Sequence, residues 1–161
     1  MSRTRSEYRR DLTVAPTAPA GRSGSWAIAP ATSADRGALA MLLLDAYRGT
    51  IDDEGAGEAE ARQAIDGYLG GLLPVYSVVI EEDGRLVAIS FVVVLGGRHF
   101  IDPVATAARK GHGLGAAAVS HSLRALARDG VADVGAVITD GNVASERLFR
   151  RLDFTRVGPW G

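Results

Sequence analysis

The 161-residue chain contains no cysteine. That excludes a disulfide framework, a thiolate zinc site and any acyl intermediate carried on a cysteine. Lysine is nearly missing as well: among 18 basic residues, Lys110 stands alone and the rest are arginines. The formal net charge of -1 leaves no overall pull toward nucleic acid or an anionic membrane. Apolar runs such as Phe91 to Leu95 fall far short of the roughly 20 residues that span a bilayer. Arg9-Arg10 is followed by Asp11-Leu12-Thr13-Val14-Ala15-Pro16, which lacks the apolar core of an export signal. No internal repeat is apparent. The expectation is a cytoplasmic protein with no nucleic-acid or membrane partner and no metal.

What is present suits one globular domain, with 47% hydrophobic and 23% charged residues. Residues 1–24 carry Arg3, Arg5, Arg9, Arg10 and Arg22 among small polar residues, and they read as a flexible basic tail ahead of a domain at 25–161. Trp26-Ala27-Ile28 reads as a short strand ended by Pro30. Thr32 or Ser33 is placed to cap a helix running to Tyr47, with Gly49 as its stop. A second helix puts Ala61, Ile65, Tyr68 and Leu72 on one face. Strands follow at about 75–80 and 86–95, joined through Asp83-Gly84, a strong hairpin signal. The rest alternates: a strand at 99–105, a helix to Arg128, a strand at 134–138, a helix from about Asn142 to Leu152, and a strand near 154–157. The order β-α-α-β-β-β-α-β-α-β predicts a mixed α/β sheet, hairpins first and a parallel crossover late.

The chemistry concentrates between His99 and Ala118. A strand enters Arg109-Lys110-Gly111-His112-Gly113-Leu114-Gly115, and a helix starts inside that turn. Helix N-termini leave amides unpaired and carry partial positive charge, so they attract phosphate. The glycines let backbone approach an anion, while Arg109, Lys110 and His112 add charge around it. A dinucleotide fingerprint needs G-x-G-x-x-G after the first strand and an acid at the end of the next. Here the spacing is G-x-G-x-G, several strands come earlier, and Asp133 opens its strand. The nicotinamide reading fails on those points.

Lys110-Gly111-His112-Gly113-Leu114-Gly115 resembles the coenzyme A loop of the GNAT N-acetyltransferases, Gln/Arg-x-x-Gly-x-Gly/Ala, with lysine at the first position. Asn142 to Phe154 resembles the family's N-x-x-[AS]-x-x-L-Y-x-x-x-G-F helix, one helix and one strand further on. The resemblance covers about residues 25–158. It implies a mixed, mostly antiparallel sheet, splayed between the domain's fourth and fifth strands and flanked by helices, and acetyl-CoA as co-substrate. It further implies that His112 to Ala116 hold the pyrophosphate. Val104, Ala105 and Thr106 would border the pantetheine arm, and Asn142 would contact that arm near its sulfur. The acceptor would be a primary amine of a small molecule or peptide, and pairing into homodimers is common in the family. Two positions depart from the pattern. Phe149 replaces the tyrosine that protonates the departing thiolate, so Ser145 and Tyr47 become candidate donors. Phe149 also keeps open a weakened coenzyme-binding module that acts as a sensor or partner. Asp153 stands where glycine is usual, a helix end at which Asp tolerates the left-handed region.

Without cysteine, direct attack of the amine in a ternary complex is the simplest scheme. An amine titrating near pH ~10 arrives protonated and needs a base. Asp102 and His99 are the candidates, and strand alternation lets only one of them face the substrate. Asp102 is preferred. Asp52, Asp53 and Glu54, between the first two helices, form an acidic connection suited to a cationic acceptor.

Overall fold

A computed structural model describes residues 3–14, 16, 26–107 and 113–161. Among these residues a seven-stranded sheet is flanked by four α-helices. In chain order the elements are β1 (Arg5–Asp11), β2 (Trp26–Pro30), α1 (Arg36–Tyr47), α2 (Glu58–Gly71), β3 (Val78–Glu82), β4 (Arg85–Leu95), β5 (Arg98–Thr106), α3 (Leu114–Arg128), β6 (Asp133–Thr139), α4 (Val143–Arg151) and β7 (Thr155–Pro159). The sheet runs β2-β3-β4-β5-β6-β1-β7, and only the β5–β6 contact is parallel.

Local chemistry accounts for most of these boundaries. Asp83 and Gly84 take φ of 51° and 74°, the left-handed pair that a two-residue hairpin between β3 and β4 demands. The apolar face expected of α2 is the one it buries: Ala61, Ile65 and Leu72 are in the core, with Tyr68 against it. Asp153 has φ 64°, so an aspartate does take the left-handed position at the end of α4. One cap differs from expectation. Ala31–Ser33 form a short 3-10 turn, and Asp35 caps α1 by accepting from the Ala38 amide at 2.9 Å.

The segment expected as a basic tail is the larger correction, because residues 5–11 form a strand. β1 lies between β6 and β7 and is antiparallel to both. Alternation in Arg-Ser-Glu-Tyr-Arg-Arg-Asp buries Ser6, Tyr8 and Arg10. Two of its arginines are matched in place. Arg9 donates to Asp133 at 2.8 Å and to Glu7 at 3.1 Å, and Arg10 lies 4.0 Å from Asp153. Two flanking strands satisfy the backbone, which is why so polar a segment is ordered.

The core lies on both faces of β4, whose residues 87–93 are all buried. Phe91, Val93 and Phe100 pack with α1 and α2 on one face. On the other face Val92 and Ile101 pack with Val119, Leu123 and Leu126 of α3 and Phe149 of α4. Burying apolar area on two faces of one strand is what fixes these layers.

Candidate active site

β5 and β6 touch at one pair, Phe100 opposite Gly135, and pair no further toward Thr106 and Thr139. Gly135 is required there. A Cβ on it would lie 2.6 Å from the Phe100 ring and 2.5 Å from Arg9 Nη1. Beyond that pinch the strands part, which leaves a β5 edge unpaired on the β6 side.

β5 also carries a bulge at this place. Ser90 pairs with Val104 and Val92 with Ile101, so Asp102 and Pro103 stand together opposite Phe91. An extra residue resets side-chain alternation. Phe100 and Ala105, five positions apart, consequently share the α1/α2 face. Asp102 is turned into the split. His99, the other candidate base, packs its ring edge-on to Tyr76 at 6.2 Å and does not line the cavity. His121 is exposed on α3 and is absent from the lining as well.

The split opens into a cavity of about 430 Å³, walled by β5, β6, α1, α2, α4 and the connection between α1 and α2. Tyr47, Asp52, Asp53, Glu54, Asp102, Val104, Asn142, Ser145 and Phe149, candidate residues from distant parts of the sequence, meet around it. Asp102 has no hydrogen-bond partner among the described residues. Burial pushes its carboxyl above the usual carboxylate range, and the Arg5 cation pulls it part of the way back. Tyr68 is driven up to about 12 by burial and then by the Asp102 charge. Tyr47 is raised further, by burial first and then by Tyr68, Asp102 and Asp52. Both phenols therefore stay protonated at neutral pH and offer O–H donors beside a desolvated carboxylate.

The opposite wall is polar and internally satisfied. Asp52 accepts from the Thr139 hydroxyl at 2.7 Å and from the Asn142 amide at 2.8 Å. Asn142 in turn caps α4, its oxygen accepting from the Ser145 amide at 3.2 Å. Asp53 holds the turn amides of Gly49 and Gly55, and Glu54 pairs with Arg3 at 3.6 Å. The acidic connection thus lines the cavity with carboxylates that already have partners. Phe149 is buried, with its ring 4.9 Å from Phe154 and edge-on to it. It gives the cavity an apolar wall and no proton.

α3 begins at the other end of the open β5 edge. Gly113 sits at φ 76° as its N-cap, with no side-chain cap, so helix geometry leaves the amides of Leu114, Gly115 and Ala116 without intrahelical acceptors. Gly115 serves a second purpose. A Cβ there would approach the Thr106 methyl to 3.2 Å and Leu148 to 3.4 Å, so the bare backbone lets α3 dock onto β5 and α4. Arg109, Lys110, Gly111 and His112, expected in the same loop, lie outside the described residues. Among the described ones, an uncapped helix start next to an unpaired strand edge fits a diphosphate followed by an extended amide-bearing arm.

Sequence reasoning missed several polar contributors to the cavity: Arg5, Arg48, Glu60, Thr139 and the phenol of Tyr68. Arg5 was hidden in the supposed tail. The signal that could have found it is the period-two placing of Ser6, Tyr8 and Arg10.

Searches against family models and against curated proteins find no match to this chain. Solved structures do match. A GCN5-related N-acetyltransferase from Sphaerobacter thermophilus superposes with a TM-score of 0.75 at 16% identity, over 98% of this chain and 49% of that one. A tandem GNAT protein from the clavulanic acid biosynthesis pathway gives 0.68 at 18% identity, over 98% and 51%. Protein PH1933 from Pyrococcus horikoshii gives 0.73 at 16% identity, over 84% and 92%. This chain spans about half the length of the first two. Its fold is that of the GNAT acetyltransferases, with the mixed, splayed sheet that the two motifs implied. No helix among the described residues is long and apolar enough to cross a membrane.

Proposed function

We propose that this domain transfers an acetyl group from acetyl-CoA to a primary amine by direct attack in a ternary complex. The observation that carries the reading is the cavity where the sheet parts, at which a half-buried carboxylate without a hydrogen-bond partner among the described residues meets an open strand edge. The fold, shared with acetyltransferases, supports it.

Acetyl-CoA supplies an activated thioester carbonyl. The amides of Leu114, Gly115 and Ala116 would grip its diphosphate, with Arg109, Lys110, Gly111 and His112 completing the loop. Backbone of Val104, Ala105 and Thr106 would pair with the pantetheine arm as an added strand does. Asp102 removes a proton from the acceptor ammonium, a task suited to a carboxylate whose proton affinity burial has raised above the ordinary range. Tyr47 would return a proton to the leaving sulfur, with the Ser145 hydroxyl as the second candidate. Phe149 keeps that region dry. Asp52, Asp53 and Glu54 act on the acceptor through their field, since their oxygens are already engaged.

The test combines calorimetric titration of acetyl-CoA with thiol release and product mass across an amine library. Saturable binding together with an acetylated product is expected. Binding with no product from any amine would favour the sensor reading, and no binding would remove both.

A further inference from the structure

The charges around the cavity are unequally matched. Asp52, Asp53, Glu54 and Glu60 each have a partner: Thr139 and Asn142, two turn amides, Arg3, and the Gly57 amide at 2.9 Å. Asp102 has none among the described residues. Neither Arg5 nor Arg48, which line the same cavity, forms an ion pair or side-chain hydrogen bond among the described residues, and Arg48 reaches Asp53 only through its field. Arg3, Arg9, Arg10, Arg36, Arg62 and Arg98 are all ion-paired. Arg85, Arg124, Arg128, Arg147, Arg150 and Arg151 likewise form no ion pair among the described residues, but none of them lines the cavity; what sets Arg5 and Arg48 apart is that they share it with Asp102.

Arg5 is also firmly delivered. β1 sets it opposite Thr139, at the end where β6 has left β5, and its carbonyl accepts from the Trp160 amide at 2.9 Å. Arg5 acts electrostatically on Asp102, Tyr47 and Tyr68, yet no ion pair closes between Arg5 and Asp102. The two opposite charges share one space and stay apart. A ligand with an ammonium at one end and an anion at the other would satisfy both.

We infer that the acceptor is a small amino acid-like amine, its carboxylate held by Arg5 with Arg48 assisting and its amine directed at Asp102. This rests on the acetyl-transfer reading. A guanidinium presents a planar fork that matches a carboxylate in two bonds. A simple alkylamine leaves that fork unmatched, and a polyamine meets it with like charge. A cavity of about 430 Å³ suits a molecule of this size beside the end of a thioester arm.

Matched acceptor pairs test the inference: amino acids against the amines left when their carboxylate is removed or converted to an amide. For the wild-type protein, kcat/KM should favour the carboxylate-bearing member of each pair by about tenfold or more. Arg5→Met should collapse that ratio toward one, Arg48→Met should reduce it less, and Arg5→Lys should restore part of it. Calorimetry of the same pairs on the wild-type and Arg5→Met proteins, without acetyl-CoA, decides the matter even where no turnover occurs. Equal ratios in wild type and Arg5→Met, or a loss confined to acetyl-CoA binding, would overturn the inference and leave the acetyl-transfer reading standing. Failure of that reading shows separately, as an absence of acetyl-CoA binding.

Discussion

Two aspartates face one cavity and are treated in opposite ways. Asp52 receives a hydroxyl and an amide from Thr139 and Asn142. Asp102 receives neither and is desolvated beside two phenols. A charge with two donors is comfortable and chemically quiet. A charge stripped of water and donors seeks a proton, because each lost interaction disfavours the ionised form. The first arrangement ties the α1–α2 connection to the start of α4. The second costs stability and leaves a carboxylate of raised proton affinity on the bulge of β5, the environment the proposed base requires.

Substitutions should separate the two roles. The largest effect is expected from Asp102→Asn, which removes the base: kcat/KM for acetyl transfer should fall by roughly 10²–10⁴, against less than tenfold for Asp52→Asn. Equal losses in the two variants would erase the distinction. Tyr47→Phe should lower kcat by about tenfold to a hundredfold if the phenol protonates the leaving group. An unchanged kcat would pass that role to Ser145.

The pH–rate profile should show the same contrast. Asp102 must be deprotonated to act, and its pKa is raised, so the acidic limb should lie above the ordinary carboxylate value of about 4. Arg5 partly offsets the effect of burial on Asp102, so Arg5→Met should move that limb to still higher pH. A limb that moves down would mean that Arg5 does not act on Asp102.

Stability should respond in opposite directions, with smaller effects. Asp52→Asn offers a donor where an acceptor is needed, so it should cost about 1 kcal/mol in denaturant unfolding. Asp102→Asn should instead raise Tm near neutral pH. The folded state holds the Asp102 proton more tightly than the unfolded state, so ionisation destabilises the fold as pH rises through that raised pKa. The gain should therefore vanish below about pH 4, where both states are protonated. A Tm that falls on Asp102→Asn would show that the carboxylate is structurally satisfied after all.

The architecture was largely legible in local signals. The Asp83-Gly84 turn, the α2 face through Ala61 and Ile65, and the left-handed Asp153 all follow from short-range rules. The two motifs supplied the splay. What stayed hidden required distant partners. β1 looks like a solvated tail because only Tyr8 among its buried residues is strongly apolar, and it is ordered by β6 and β7, more than a hundred residues away. The same holds for Asp52, whose acidic neighbourhood suggested an open binding surface. Its true partners, Thr139 and Asn142, lie 87 and 90 positions further along. The Asp102 environment was half visible: alternation lets only one of His99 and Asp102 face the substrate and puts Asp102 on the Phe100 face, but the parting of β5 from β6 beside it is a tertiary feature.

Amide chemical shifts of the ¹⁵N-labelled protein during an acetyl-CoA titration probe the split sheet most directly. The largest saturable changes should fall on Leu114, Gly115 and Ala116 at the start of α3 and on Val104, Ala105 and Thr106 along the open edge of β5. Silence at those six amides, or changes confined to the far edge at β2, would contradict the placing of the thioester in this cavity.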